Sequence, residues 1–236
     1  MRILASELFR ALLTFAAFGL AGSSLSGFAG DRGPASAARP SLIRLPQPRL
    51  DGTTSVEAAL AARRSIRSFA NKPVTLEELS QLLWAAQGIT DPRGLRTAPS
   101  GGALYPLELF VVAGSVAALP AGTYRYEPVG HHLVRVAEGD QRPDLADAAL
   151  GQSTMRKAPV VIAIVADERK TTIKYGERGV RYVHLEAGHA AQNICLQAEA
   201  LGLGSVVIGA FSDRAVANLL RSPGLLPLYL IPLGRK

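Results

Sequence analysis

The stretch Pro159-Val160-Val161-Ile162-Ala163-Ile164-Val165-Ala166 constrains this chain more than any other. Successive side chains of a strand point to opposite sides of a sheet, so a run with no polar residue cannot leave one face in water. It predicts a strand buried on both faces, and therefore a sheet with helices packed above and below it. The matching helix spans residues 179–201, where Val183, Ala187, Ala190, Ile194, Ala198 and Leu201 share one stripe and Gly202 and Gly204 end the run. Its many small residues let neighbours approach closely, which makes it a central element.

The remaining segments fill in around these two. Thr54-x-x-Glu57 and Thr75-x-x-Glu78 are capping-box patterns, in which side chains satisfy the orphan N–H groups of a helix start. After the second, Leu76, Leu79, Leu82, Leu83 and Ala86 recur at helical spacing until Gly88, predicting a helix over 76–87. Residues 108–113, 123–127 and 133–136 read as strands, the last two joined by a hairpin-like connection containing Pro128 and Gly130. Residues 143–150 read as a helix with proline in its first turn, 205–210 as a second buried strand, 213–221 as a helix capped by Ser212, and 227–233 as a last strand. Strands interspersed with helices give an α+β or α/β domain on one mixed sheet.

The first fifty residues differ in kind. Six arginines against two acids give them a net charge of +4, out of +7 for all 236 residues. The basicity is therefore no broad stripe for nucleic acid, and no nucleic-acid partner is expected. Residues 1–29 place Arg2 and Arg10 before an uncharged run, Ala11 to Leu20, and then small residues through Ala29. That is the order of a secretory signal peptide, and it predicts export to the periplasm. Glu7 and the absence of a twin-arginine pair speak against it, and an uncleaved anchor or a cytoplasmic protein are the alternatives. Residues 30–50 hold four prolines without periodicity, as in a linker or a strap laid on the domain surface. The folded domain is expected over 51–236.

Several residues invite chemistry. Arg63-Arg64-Ser65-x-Arg67 puts three guanidiniums and a hydroxyl within five residues, enough to clamp a phosphate or merely to complement a helix end. Pro99-Ser100-Gly101-Gly102 is a glycine-rich turn whose backbone N–H groups a ligand can approach. Lys174-Tyr175 offers two proton-transfer groups, each needing its pKa lowered to act near neutrality. His184, Glu186 and His189 invite a metal reading, but His184 and His189 lie roughly 140° apart around a helix, so the two imidazoles cannot face one ion, and no metal site is expected. His189 reads as a core or interface histidine, and Cys195, the only cysteine, as a buried inert thiol.

Taken in order, these segments resemble the FMN-dependent nitroreductase superfamily, and within it the SagB/ThcOx-type dehydrogenases. The resemblance covers roughly residues 54–236. It is carried by Arg63 to Phe69, Pro99 to Glu108, Lys174 to Gly179 with Leu185 to Asn193, Gly202 to Phe211, and Leu228 to Arg235. It implies an α+β nitroreductase-like fold, with a mixed, mostly antiparallel central sheet flanked by helices, in an intertwined homodimer that binds FMN at the subunit interface. Arg63, Arg64, Ser65 and Arg67 would then hold the FMN phosphate and ribityl chain, with Arg235 as a further cation. Ser100, Gly101 and Gly102 would reach the flavin from the partner subunit, and Ile208, Gly209 and Ala210 would lie along the isoalloxazine. Lys174 and Tyr175 map to a pair linked to catalysis in SagB-type enzymes. The implied activity is hydride transfer between flavin N5 and a small organic substrate, as a SagB-type dehydrogenase or an NAD(P)H-dependent nitro or quinone reductase. A cyclodehydratase partner fits an exported protein badly, and a non-catalytic flavin-binding interaction protein is the alternative.

Overall fold

A computed structural model describes residues 42–236. The expected leader and residues 30–41 of the expected linker lie outside the described residues. The elements in chain order are β1 (Leu42–Arg44), α1 (Val56–Ala62), α2 (Leu76–Gln87), β2 (Leu107–Ala113), β3 (Gly122–Glu127), β4 (His132–Glu138), α3 (Arg142–Ala148), α4 (Ser153–Lys157), β5 (Val160–Ala166), α5 (Arg169–Tyr175), α6 (Arg178–Ala200), β6 (Leu203–Ser205), α7 (Asp213–Leu219) and β7 (Leu226–Arg235).

The strands form one sheet in the order β1-β4-β3-β2-β5-β7-β6, antiparallel at every joint between them. Parallel pairing is confined to the single bridges Ser65–Ser205 and Val74–Val116. The apolar run behaves as its composition requires: every residue of β5 is buried. Val160, Ile162 and Ile164 face α2 and α6, while Val161, Ala163 and Val165 face α3, α4 and α7. Helix α2 starts on a complete capping box, in which Thr75 Oγ1 accepts from Glu78 N (3.2 Å) and Glu78 Oε2 accepts from Thr75 N (2.9 Å). Such a cap is worth roughly 1 kcal/mol. Among the described residues no helix is long and apolar enough to cross a membrane.

Three expectations change. The cap of α1 is Ser55, whose Oγ accepts from Ala58 N, one residue later than the Thr54 pattern suggests. Only Ser205 of the expected strand 205–210 belongs to β6. The next partner on β7 is Pro232, which has no N–H to return the bond that its carbonyl accepts from Val206 (3.4 Å), so the ladder breaks there. It resumes for one bridge, Ile208–Leu230, before Gly209 and Ala210 emerge into solvent. Finally, residues 42–50 are a strap rather than a free linker, and the folded unit begins before residue 51. β1 pairs with β4, Leu45 is buried, and Arg49 N donates to Gln81 Oε1 (2.8 Å). His131, in the β3–β4 turn, bonds Tyr126 Oη through Nδ1 (2.9 Å) and meets Ser80 Oγ and the Pro46 carbonyl through Nε2.

Candidate active site

The sequence-predicted residues fall into two groups. Ser100 and Gly101 are anchored to Glu186: its Oε1 accepts from Ser100 Oγ (3.0 Å) and from Gly101 N (2.8 Å). Ser100 Oγ also accepts from Tyr105 N (2.9 Å), which closes the turn. Gly102 sits at φ +66°, where a side chain would be strained, and a Cβ there would fall 2.6 Å from Tyr175 Oη and 2.8 Å from Lys174 Nζ. The turn and the Lys174–Tyr175 pair thus form one cluster within a single chain. Tyr182 packs edge-to-face on Tyr175 with ring centroids 5.1 Å apart, and Lys174 Nζ lies 5.3 Å from the Tyr175 ring centroid. The pair is fixed because α5 crosses close to α6, where Gly179 leaves no room for a side chain against Thr172 N.

The second group gathers at β6 and the segment that follows it. Ile66 N donates to Ser205 O (2.9 Å), so the arginine segment docks on the edge of β6. Gly204 leaves space for Ile66 and its neighbour Gly234 for Phe69; a Cβ at either would approach those side chains to 2.7 and 2.8 Å. Among the described residues no carboxylate pairs with Arg63, Arg64 or Arg67. Arg64 turns one amino group back onto the carbonyls of Ala61 and Arg63, while Ser65, Arg64 and Arg67 are exposed. Gly209 shares a groove of about 330 Å³ with His184, Phe211 and Tyr229, and the Ala210 carbonyl accepts from Gln152 Nε2 (3.0 Å). His184 and Glu186 point roughly 160° apart around the helix, so this groove and the Ser100–Gly102 turn are on opposite sides of it.

Arg235 is placed differently from what the resemblance implies. Its guanidinium pairs with Glu78 at 2.7 Å, so its charge is already met by the capping carboxylate of α2. His189 is exposed, which removes the core reading and leaves the interface one. Cys195 is buried, and burial pushes its thiol up, away from the reactive thiolate. No group of three or more His, Cys, Asp or Glu among the described residues is arranged to hold a metal ion.

The sequence reading weighed Glu186 only as a metal ligand and missed its hold on the Ser100–Gly101 turn. It is buried, and burial raises its carboxyl above the ordinary range against the opposing pull of the Gly101 and Ser100 hydrogen bonds. A glutamate on the same stripe as Val183 and Ala190, in an otherwise apolar helix face, was the available signal.

The family model "Nitroreductase family" matches residues 60–235. The chain is 46% identical to a nitroreductase-type protein of Methanocaldococcus jannaschii over 77% of this chain and 91% of that one. It is 31% identical to the microcin B17-processing protein McbC of Escherichia coli, over 61% of this chain and 56% of McbC. With the FMN reductase [NAD(P)H] of Bacillus subtilis it shares 26% identity over 75% of this chain and 61% of the reductase. A crystal structure of a nitroreductase-type protein from Ralstonia eutropha superposes with a TM-score of 0.72 at 31% identity, covering 84% of this chain and 93% of the other.

Proposed function

Since the chain belongs to the nitroreductase family and is a flavin-dependent oxidoreductase, we propose that it binds FMN between two copies of itself and reduces small organic acceptors with NAD(P)H. The observation that carries this reading is the split across α6. A flavin touched by both Ile208 to Ala210 and the Ser100–Gly102 turn would be shared between copies, because one chain presents Gly209 and the turn on opposite sides of the helix. The exposed apolar residues Val180 and Leu185 on α6, with Val56 and Leu60 on α1, support the same reading, since a second copy would cover them.

The residues fit the cofactor. Among the described residues Arg63, Arg64 and Arg67 have no carboxylate partner, as a phosphate clamp requires. Arg235 is left out of the clamp because Glu78 already holds it. FMN, when bound, supplies hydride exchange at N5. The protein binds its phosphate through the arginine segment and borders its ring with Ile208 to Ala210. Lys174 Nζ or Tyr175 Oη, both against Gly102, moves the accompanying proton.

A second reading, a SagB-type dehydrogenase running the transfer in the other direction, is favoured by the Lys174–Tyr175 cluster and by the likeness to McbC. Purified protein tests both. It should be yellow, release FMN on denaturation, and bleach anaerobically with NADH or NADPH. Lys174→Ala or Tyr175→Phe should cut turnover by about 10²-fold, in the range of general acid–base effects, with flavin retained. Colourless protein refutes any FMN reading; flavin without bleaching favours the dehydrogenase or a silent binder. Full turnover in both variants removes the proton-transfer role.

A further inference from the structure

Beside the Ser100–Gly102 turn, a cavity of about 250 Å³ opens between Gln87 at the end of α2, the start of β2, the end of β3 and Lys170 of α5. Arg96 lies in its wall. Its guanidinium stacks 4.4 Å over the Tyr105 ring, and Nη1 donates to Gln87 Oε1 (2.7 Å). Nε is shut away from solvent without a partner, and no described acceptor takes Nη2. The other cations of the wall are spoken for: Arg125 pairs with Glu127 at 2.8 Å and Lys170 with Glu108 at 3.3 Å. Arg96 is therefore the one cation lining this cavity that no carboxylate of the described residues meets at ion-pair distance; Glu127 and Glu186 act on it only from farther off, and burial still lowers its pKa. A half-buried guanidinium with no carboxylate in contact is costly to hold and gains from an anion brought to it.

The cavity adjoins the proposed catalytic pair. Tyr105 Oη accepts from Arg96 N (3.2 Å) while Tyr105 N donates to Ser100 Oγ (2.9 Å), so one residue belongs to both the cavity wall and the turn. Lys170 precedes Lys174 by four residues on α5, which places the two on one helix face about 6 Å apart.

Building on the proposed function, we infer that this cavity receives the carboxylate of the substrate, and that the preferred substrates are small organic acids whose reacting end lies toward Lys174 and Tyr175. A guanidinium fork matches a planar carboxylate. Glu108 and Glu127 in the wall repel a phosphate dianion more than a carboxylate monoanion, which selects the latter.

The holoprotein tests this with matched neutral and charged probes. Benzoate should raise the thermal midpoint by several degrees at saturation, benzamide should not, and Arg96→Gln should lose the benzoate effect. In turnover, para-nitrobenzoate should show a KM at least about 10-fold lower than para-nitrobenzamide does, at similar kcat, and Arg96→Gln should erase the difference. Because benzoate binding needs no turnover, a protein that shifts with benzoate yet reduces neither nitro compound fails the reductase reading and keeps the carboxylate site. Equal responses to the two members of a pair in the wild-type protein overturn the inference whether or not the variant folds. Retention of the benzoate effect in a folded Arg96→Gln protein also overturns it.

Discussion

On the Glu186 side of α6, one carboxylate oxygen holds both a hydroxyl and a backbone N–H of the turn, and the turn presses on Lys174 and Tyr175 with no space to spare. Beside β6, three arginines project from a docked but open segment with no acid among the described residues to meet them. The first region is finished before any ligand arrives, whereas the second is completed by one. Rigid geometry belongs where atoms must be aligned for reaction, because a misplacement of about 1 Å can cost roughly 100-fold in rate. Unspent charge belongs where affinity is needed, because each charge-assisted hydrogen bond contributes about 1.5–3 kcal/mol.

Substitutions in the two regions should therefore fail differently. The largest effect is expected for Gly102→Val, where a branched side chain at positive φ would drive Lys174 and Tyr175 from their places. Turnover per bound flavin should fall by at least about 100-fold, whatever flavin is lost at the turn; unchanged turnover per bound flavin would show that the turn serves binding alone. Next, Arg63→Ala should weaken FMN affinity by about 10-fold or more, in line with one lost charge-assisted bond, while leaving the apoprotein's thermal midpoint within a degree or two. A collapsed midpoint would make the arginine segment structural.

The smallest effect is expected for Glu186→Gln, which keeps the shape and one acceptor oxygen. Turnover should change only a few-fold, and the informative measurement is stability against pH. Burial raises the carboxyl of Glu186, so the native state binds its proton more tightly than the unfolded chain does. The cost of the buried charge is present above the native pKa and relieved as pH falls toward the ordinary carboxylate value. Wild-type protein should accordingly gain stability relative to Glu186→Gln between pH 7 and pH 4. A trend of opposite sign would mean that the Ser100 and Gly101 hydrogen bonds outweigh the burial.

How much of this was legible in the sequence depended on how local the governing physics is. The β5 run, the α6 stripe and the Thr75 box are set by neighbours within a few residues, and the structure places them as their spacing predicts. Where β6 stops was not local, since the break is caused by Pro232 on another strand. The same holds for Arg235, whose partner Glu78 is far away in sequence and already had an evident task as a cap. Glu186 and Arg96 escaped for a related reason. Each acts through contacts formed only when distant segments meet, Glu186 with the Ser100 turn and Arg96 with Gln87 and Tyr105.

One border of the sheet bears on how this protein behaves in a crowded solution. An unpaired strand edge is an invitation to stack with another chain. Here β6, at one border, is covered at Ser205 by the same segment that carries the arginines. Sheet extension is thereby hindered at that border. Among the described residues, the exposed apolar side chains of α1 and α6 offer a second copy helical surfaces instead, whose pairing is satisfied after a single encounter.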